Sequence, residues 1–150
     1  MLNERSEKCL ATVDDALAAV VRLAHTFDPS LQALEGVRTL TRQHELYGQG
    51  RTRQQLKIAG VNPARARPSM PKVTWTLQSR HFADPKTGKS RAVDVWPGSW
   101  DDLRKFDRMA AAMFKAAAQL GIAIRWGADW DSDGNPRERG ETDSPHFELA

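Results

Sequence analysis

The strongest constraint in this sequence is an apolar stripe. Phe106, Met109, Ala110, Met113, Phe114, Ala117 and Leu120 recur at helical spacing and stop at Gly121. A long helix with one apolar face must bury that face against a core. Leu10, Val13, Leu17, Val20, Val21 and Ala24 follow the same period, predicting a helix from about Ser6 to Thr26 that Asp28-Pro29 breaks. A shorter helical stretch, Leu40 to Tyr47, runs into Gly48-Gln49-Gly50, where a helix can close. Between these lie runs rich in β-branched and aromatic residues: Val73–Leu77, Ala92–Trp96, Ile122–Trp126 and His146–Leu149. Helices and short strands without a βαβ rhythm predict an α+β fold with a small, mostly antiparallel sheet and flanking helices. Asn62 to Pro71, with prolines at 63, 68 and 71, reads as an irregular loop.

The chain has 150 residues, enough for one domain spanning 1–150 and too few for a second full one. Its 22 Lys and Arg against 19 Asp and Glu give a net charge of +3, compatible with a polyanionic partner without requiring one. The densest basic group is Arg51, Arg53, Lys57, Arg65 and Arg67. It lacks interleaved aromatics that could stack bases, so it reads as solvated surface and no nucleic-acid partner is expected. The single cysteine, Cys9, rules out an intrachain disulfide and sits in a helical pattern with nothing to activate it as a nucleophile. Met1–Glu7 is polar, and no later run is long and apolar enough for a membrane span. The expectation is a soluble product made in the cytoplasm, without a membrane partner.

Two segments carry the chemistry: Ser79-Arg80-His81 leading to Ala92-Val93-Asp94, and Asp143-Ser144-Pro145-His146-Phe147-Glu148. They supply two histidines, a carboxylate ligand and a spare carboxylate. A hydrolytic zinc site needs that set, since three protein ligands leave one position for water and a nearby base takes the proton. His81, Asp94 and His146 are therefore candidate ligands and Asp143 the candidate base. Strand alternation places Asp94 opposite Val93 and Val95, and His146 with Glu148 opposite Phe147 and Leu149. Spacing alone leaves ordinary hydrogen-bonded histidines as the competing reading, because Asp94 and His146 lie far apart in sequence. His25 and His44, within helical stretches, take that ordinary reading.

Ser79-x-His81, Gly88, Ala92-Val93-Asp94, then Trp126-Gly127-Ala128-Asp129-Trp130 and Asp143-x-Pro145-His146-Phe147-Glu148-Leu149 together resemble the LAS-type zinc peptidases. That group includes phage L-alanyl-D-glutamate endolysins, bacterial D,D-carboxypeptidases and D-alanyl-D-alanine dipeptidases. Glu35-Gly36-Val37-Arg38-Thr39 and Arg42-Gln43-x-x-Leu46-Tyr47-x-x-Gly50-Arg51-Thr52 resemble its N-terminal block, so the likeness runs from about Leu31 to Leu149. The resemblance implies the Hedgehog/D,D-peptidase fold, zinc on His81, Asp94 and His146, and Asp143 as general base and acid. It also implies Arg38 as the oxyanion-stabilising arginine, with an ion pair to Glu35 as the plainer alternative. Ser79 and Gln43 fall at substrate-binding or supporting positions.

Two departures stand out. The aspartate follows the histidine by 94 − 81 = 13 residues where many relatives have about seven, so Phe82–Ser90 must bulge out and Asp84 competes with Asp94. The base lies in Asp-x-x-His, which favours the endolysin branch, with Glu141 as an alternative base. Asp129-x-Asp131-x-Asp133-Gly134 resembles half of a calcium loop, but Gly140 stands where the twelfth-position glutamate belongs and Glu141 follows. A polar loop supporting the site is the competing reading of that segment. The resemblance implies a monomeric enzyme acting on bacterial peptidoglycan without a separate wall-binding module. It would cut the L-alanyl-D-glutamate bond of the stem peptide for host lysis, crossing from the host cytoplasm through a holin. The alternatives are a D,D-carboxypeptidase and a non-catalytic wall-binding domain with structural zinc.

Overall fold

The computed structural model describes all residues from Met1 to Ala150. Helices α1 (Glu4–Leu10) and α2 (Asp15–Phe27) open the chain, followed by strand β1 (Gln32–Glu35) and helices α3 (Leu40–Gly48) and α4 (Arg53–Ile58). Strand β2 (Ala92–Trp96), the long helix α5 (Leu103–Leu120), and strands β3 (Ile124–Trp126) and β4 (His146–Leu149) complete it. The sheet order is β1-β2-β4-β3, with every neighbouring pair antiparallel. The α+β expectation and the small antiparallel sheet are thus observed. No helix is long and apolar enough to cross a membrane.

The predicted stripe becomes α5. Asp102 caps its start by accepting the Arg104 N–H, and Gly121, at φ 68°, closes it in a left-handed turn. Its apolar face packs on α2, and residues from both helices join Val93, Val95, Trp126 and Phe147 in a cluster of 23 buried residues. One face of the sheet therefore rests on the helical core. Since neighbouring side chains in a strand alternate, the other face carries Asp94, His146 and Glu148.

Sequence and structure part at several places. The expected helix from Ser6 to Thr26 is two helices: Ala11–Thr12 turn, Val13 bridges to Ser90, and Asp14 caps α2 by accepting the Ala16 N–H. The hydrophobic period survives the break because Leu10, Val13 and Leu17 all reach the same core. Val73–Leu77 is not a strand. Nothing pairs with it, and Val73 and Trp75 are exposed, 51% and 74%. High β-propensity without a partner leaves an extended segment only. The predicted strand from Ile122 shortens to Ile124–Trp126, and the Asn62–Pro71 loop contains a one-turn 3-10 helix at Pro63–Arg65. Arg51, expected at the surface, is buried, stacks on the Tyr47 ring at 3.7 Å and donates to the Tyr47 carbonyl.

Candidate metal centre and cleft

Antiparallel pairing of β2 with β4 sets Asp94 directly opposite His146, which brings together two residues far apart in sequence. His81 arrives from outside the sheet. Its carbonyl accepts the Arg38 N–H at 2.7 Å, and its Nδ1 lies 2.7 Å from the Gly36 carbonyl oxygen. The Nδ1 proton is thereby committed and Nε2 is left to face Asp94 Oδ1 at 3.4 Å. His146 is turned the other way round: Nε2 lies 3.1 Å from Glu148 Oε1, and Nδ1 lies 3.5 Å from Asp94 Oδ1. The two rings meet edge to face, 5.1 Å between centroids.

His81 Nε2 and Asp94 Oδ1 are both buried without a hydrogen-bond partner. Leaving polar atoms in that state is costly unless something else binds them. Together with His146 they are ligand atoms within 4.8 Å of one another, a group that could hold a metal ion. Two imidazoles and a carboxylate suit zinc, and an outer acceptor on each histidine is what metal-bound histidines require. The charges agree. Burial alone would raise the Asp94 carboxyl, but the adjacent imidazoles of His146 and His81 hold it well below the usual range. Burial would lower His146, yet Asp94 and Glu148 raise it to about 9. A metal ion must displace the proton that this negative surround favours.

The long spacing between His81 and Asp94 does not separate them. Phe82–Ser90 folds back on itself, with the Asp84 N–H donating to the Lys89 carbonyl and the Gly88 N–H to the Asp84 carbonyl. Ser90 ties its base to the α1–α2 turn by donating its N–H to Thr12 and accepting from Asp14. Asp84 accepts the Lys86 N–H within that loop and lies outside the histidine–aspartate group, so Asp94 is the ligand candidate that the fold favours.

Asp143 sits at the mouth, its side chain 54% exposed and 3.9 Å from His146 Nδ1. Partial burial and then the Asp94 charge raise its pKa above the ordinary aspartate value. Its turn is held firmly. The Trp126 Nε1–H donates to Ser144 O at 2.7 Å, the Asp143 N–H to Gly127 O and the Gly127 N–H to His146 O. A Cβ on Gly127 would overlap the Asp143 carbonyl oxygen and lie 2.9 Å from Asp143 Cβ and 3.0 Å from His146 Cβ, so only glycine fits.

These groups open onto a cleft of about 370 Å³. Arg38 lines it, gripped by Glu35 through Nε and Nη2 at 2.6 and 3.0 Å, while Nη1 donates to Gln43 Oε1 at 2.8 Å. The ion pair with Glu35 therefore coexists with a position in the cleft. Gln43 is fully buried, and its Nε2 donates to Thr76 O and Thr74 Oγ1, so it braces Arg38 and the Thr74–Thr76 wall. Ser79 Oγ accepts the His81 N–H and lines the cleft beside it. His25 takes the ordinary role expected, its Nδ1 2.7 Å from the Leu31 carbonyl oxygen, and His44 is no part of the cleft wall. Glu148, which belongs to the C-terminal motif but has no role assigned from sequence, contacts His146; a charged residue two places beyond a ligand on one strand face is the available signal.

Glu141, the alternative base, does not line the cleft that Asp143 lines. It is buried and accepts the N–H groups of Asp131 and Glu138. It converges with Asp129 and Asp131 in a second acidic group, while Asp131, Asp133 and Glu138 form a third.

A family model described as phage L-alanyl-D-glutamate peptidase matches residues 1–150. The L-alanyl-D-glutamate peptidase of Escherichia phage T5 is 31% identical over 151 residues, covering 98% of this chain and 96% of that protein. The crystal structure of the L-Ala D-Glu endopeptidase ChiX of Serratia marcescens aligns with a TM-score of 0.63 at 27% identity, covering 100% of this chain and 90% of that one.

Proposed function

Since this chain belongs to the phage L-alanyl-D-glutamate peptidase family, we propose that it hydrolyses the L-alanyl-D-glutamate bond of the peptidoglycan stem peptide, with zinc on His81, Asp94 and His146. One observation carries the metal reading: two buried, unpartnered ligand atoms, His81 Nε2 and Asp94 Oδ1, converge with His146 beside a carboxylate in a polar cleft. When bound there, zinc supplies the Lewis acidity that makes water a nucleophile at neutral pH and polarises the peptide carbonyl.

The chain's own residues do the rest. Asp143 takes a proton from the attacking water as the new C–O bond forms, and returns it to the amine as the C–N bond breaks. Its raised pKa, from burial and the Asp94 charge, suits a group that must hold that proton between the two steps. Arg38 faces the negative charge that develops on the carbonyl oxygen. Glu35 and Gln43 use three of the five N–H donors of its guanidinium, holding the plane fixed and leaving the others for substrate. A donor fixed before the reaction stabilises the transition state without reorganising. Ser79 and Gln43 support this geometry through His81 and Arg38.

Kinship with a phage enzyme supports a role in host lysis, with passage to the wall through a holin and with this one domain, as a monomer, sufficient for cutting. The acidic loop has a finer reading as a calcium site at Asp129, Asp131 and Asp133; the convergence of buried Glu141 on Asp129 and Asp131 favours it. A calcium titration of thermal stability tests that reading, and no shift at millimolar calcium would discard it.

The deciding experiment is mass spectrometry of fragments from purified peptidoglycan, with chelated and Asp143→Asn controls. New L-alanine C-termini and D-glutamate N-termini that vanish in both controls are expected. Release of D-alanine instead would assign a D,D-carboxypeptidase, and no fragments at all would leave a wall-binding domain.

A further inference from the structure

We propose that Glu148 is a positioning residue for the metal centre: its carboxylate accepts the Nε2–H of His146, fixes that ring's tautomer and rotation, and so aims Nδ1 at Asp94 and His81. This rests on reading His81, Asp94 and His146 as the ligands. The two histidines present opposite nitrogens, Nε2 from His81 and Nδ1 from His146, so each needs its own acceptor on the far side. For His81 the acceptor is the Gly36 carbonyl, which the backbone supplies whatever the side chains are. For His146 it is a side chain, Glu148 Oε1 at 3.1 Å, so the acceptor depends on which residue stands at position 148.

The placement follows from strand geometry. Residues 146 and 148 are alternate positions of β4 and share the face away from the helical core. Glu148 is only 3% exposed, and a carboxylate taken out of water that far must be paired. Arg80 Nε lies 3.3 Å from Oε2, and Arg125 is the directly opposite residue on β3. Oε2 is thus occupied by the arginine, while Oε1 is left for the imidazole. Without this acceptor the His146 proton is free to move to Nδ1, which removes the lone pair a metal needs, and the ring loses the contact that fixes its rotation on the Nε2 side.

The test uses the full chain at fixed pH. Zinc affinity is measured by competition with a chromophoric chelator for the wild type, Glu148→Ala and Glu148→Gln, and long-range proton–nitrogen NMR reads the histidine tautomers of the zinc-loaded wild type. Glu148→Ala is expected to bind zinc about 10- to 100-fold more weakly. Glu148→Gln should recover most of that loss, because its amide oxygen still accepts. The spectrum should show the proton on Nε2 of His146 and on Nδ1 of His81. Unchanged zinc affinity in Glu148→Ala overturns the proposal, as does a Gln variant no tighter than Ala, or a His146 proton on Nδ1. If the Ala variant does not fold, the Gln variant and the wild-type spectrum still decide. A wild type with the expected tautomers that cuts no stem peptide would sink the proposed reaction and leave this inference standing.

Discussion

Replacing Gly127 by alanine asks whether the candidate base and the strand ligand are held to fractions of an ångström. The new methyl would lie 2.9 Å from Asp143 Cβ and 3.0 Å from His146 Cβ. Carbon atoms rest about 3.5 Å apart or more, and the methyl would also overlap the Asp143 carbonyl oxygen, so the two residues must separate from residue 127 by about half an ångström to one ångström. The movement cannot be absorbed locally. Gly127 donates to His146 and accepts from Asp143 through the backbone, and the indole of Trp126 pins the intervening turn at Ser144. A misplacement of about 1 Å costs catalysis roughly a hundredfold. A shift of half to one ångström therefore predicts a fall of about 10- to 100-fold in kcat/KM, or about 1.4 to 2.7 kcal/mol of barrier. Overpacking should also lower stability by about 1 to 3 kcal/mol. The assay is cleavage of a defined stem peptide at saturating zinc, beside a Met113→Ala control, which weakens the buried α5 face without touching the cleft. If Gly127→Ala keeps wild-type kcat/KM at a temperature where it is fully folded, or loses no more than the control, the close approach is not what aligns the site.

Other outcomes follow from the same geometry. Asp143→Asn, nearly isosteric at the half-exposed mouth, should keep its zinc content by elemental analysis and lose about 10²- to 10⁴-fold in kcat. Because burial and Asp94 raise the Asp143 pKa, the basic form is lost as pH falls and the loss begins above the ordinary aspartate range; a kcat/KM profile whose acid limb sits at or below that range would refute the assignment. Cys9 is buried and its thiol is pushed up to about 12 by burial and then the Asp94 charge, so a thiol reagent at pH 8 should modify it only as fast as the chain unfolds. Rapid labelling of the native protein would show that the α1 packing is wrong.

How much of this was legible beforehand differs by element. The α5 stripe and β2 read cleanly because one element's period dominates each window, and Asp94 and His146 share a motif context as well as a strand face. Gln32–Glu35 was invisible as a strand: Gln, Ala, Leu and Glu are helix formers, and only antiparallel pairing with β2 makes the segment extended. Helix α4 has a single buried anchor, Leu56, too little for a period to show. Val73–Leu77 erred the other way, since propensity cannot reveal that no strand lies alongside. At the site, residue types were readable but partnerships were not. That Arg38 is shared between Glu35 and Gln43, or that Glu148 backs His146, depends on contacts that only the folded chain creates.

The fold-back between His81 and Asp94 separates two things that usually travel together, the length of chain joining the residues and the distance between them. Its base is clamped by Ser90 to the α1–α2 turn and Lys89 reaches Asp15 at 2.6 Å, so the tip around Lys86–Gly88 bears none of the alignment. Lengthening such a loop twofold costs only about 0.6 kcal/mol in closure entropy. Evolution can therefore add or remove residues there without retuning the chemistry, and a spacing-based search pattern will miss relatives that differ only in this stretch. The same tip is a natural port for engineering: an affinity tag or targeting peptide spliced between Lys86 and Gly88 would ride outside the cleft.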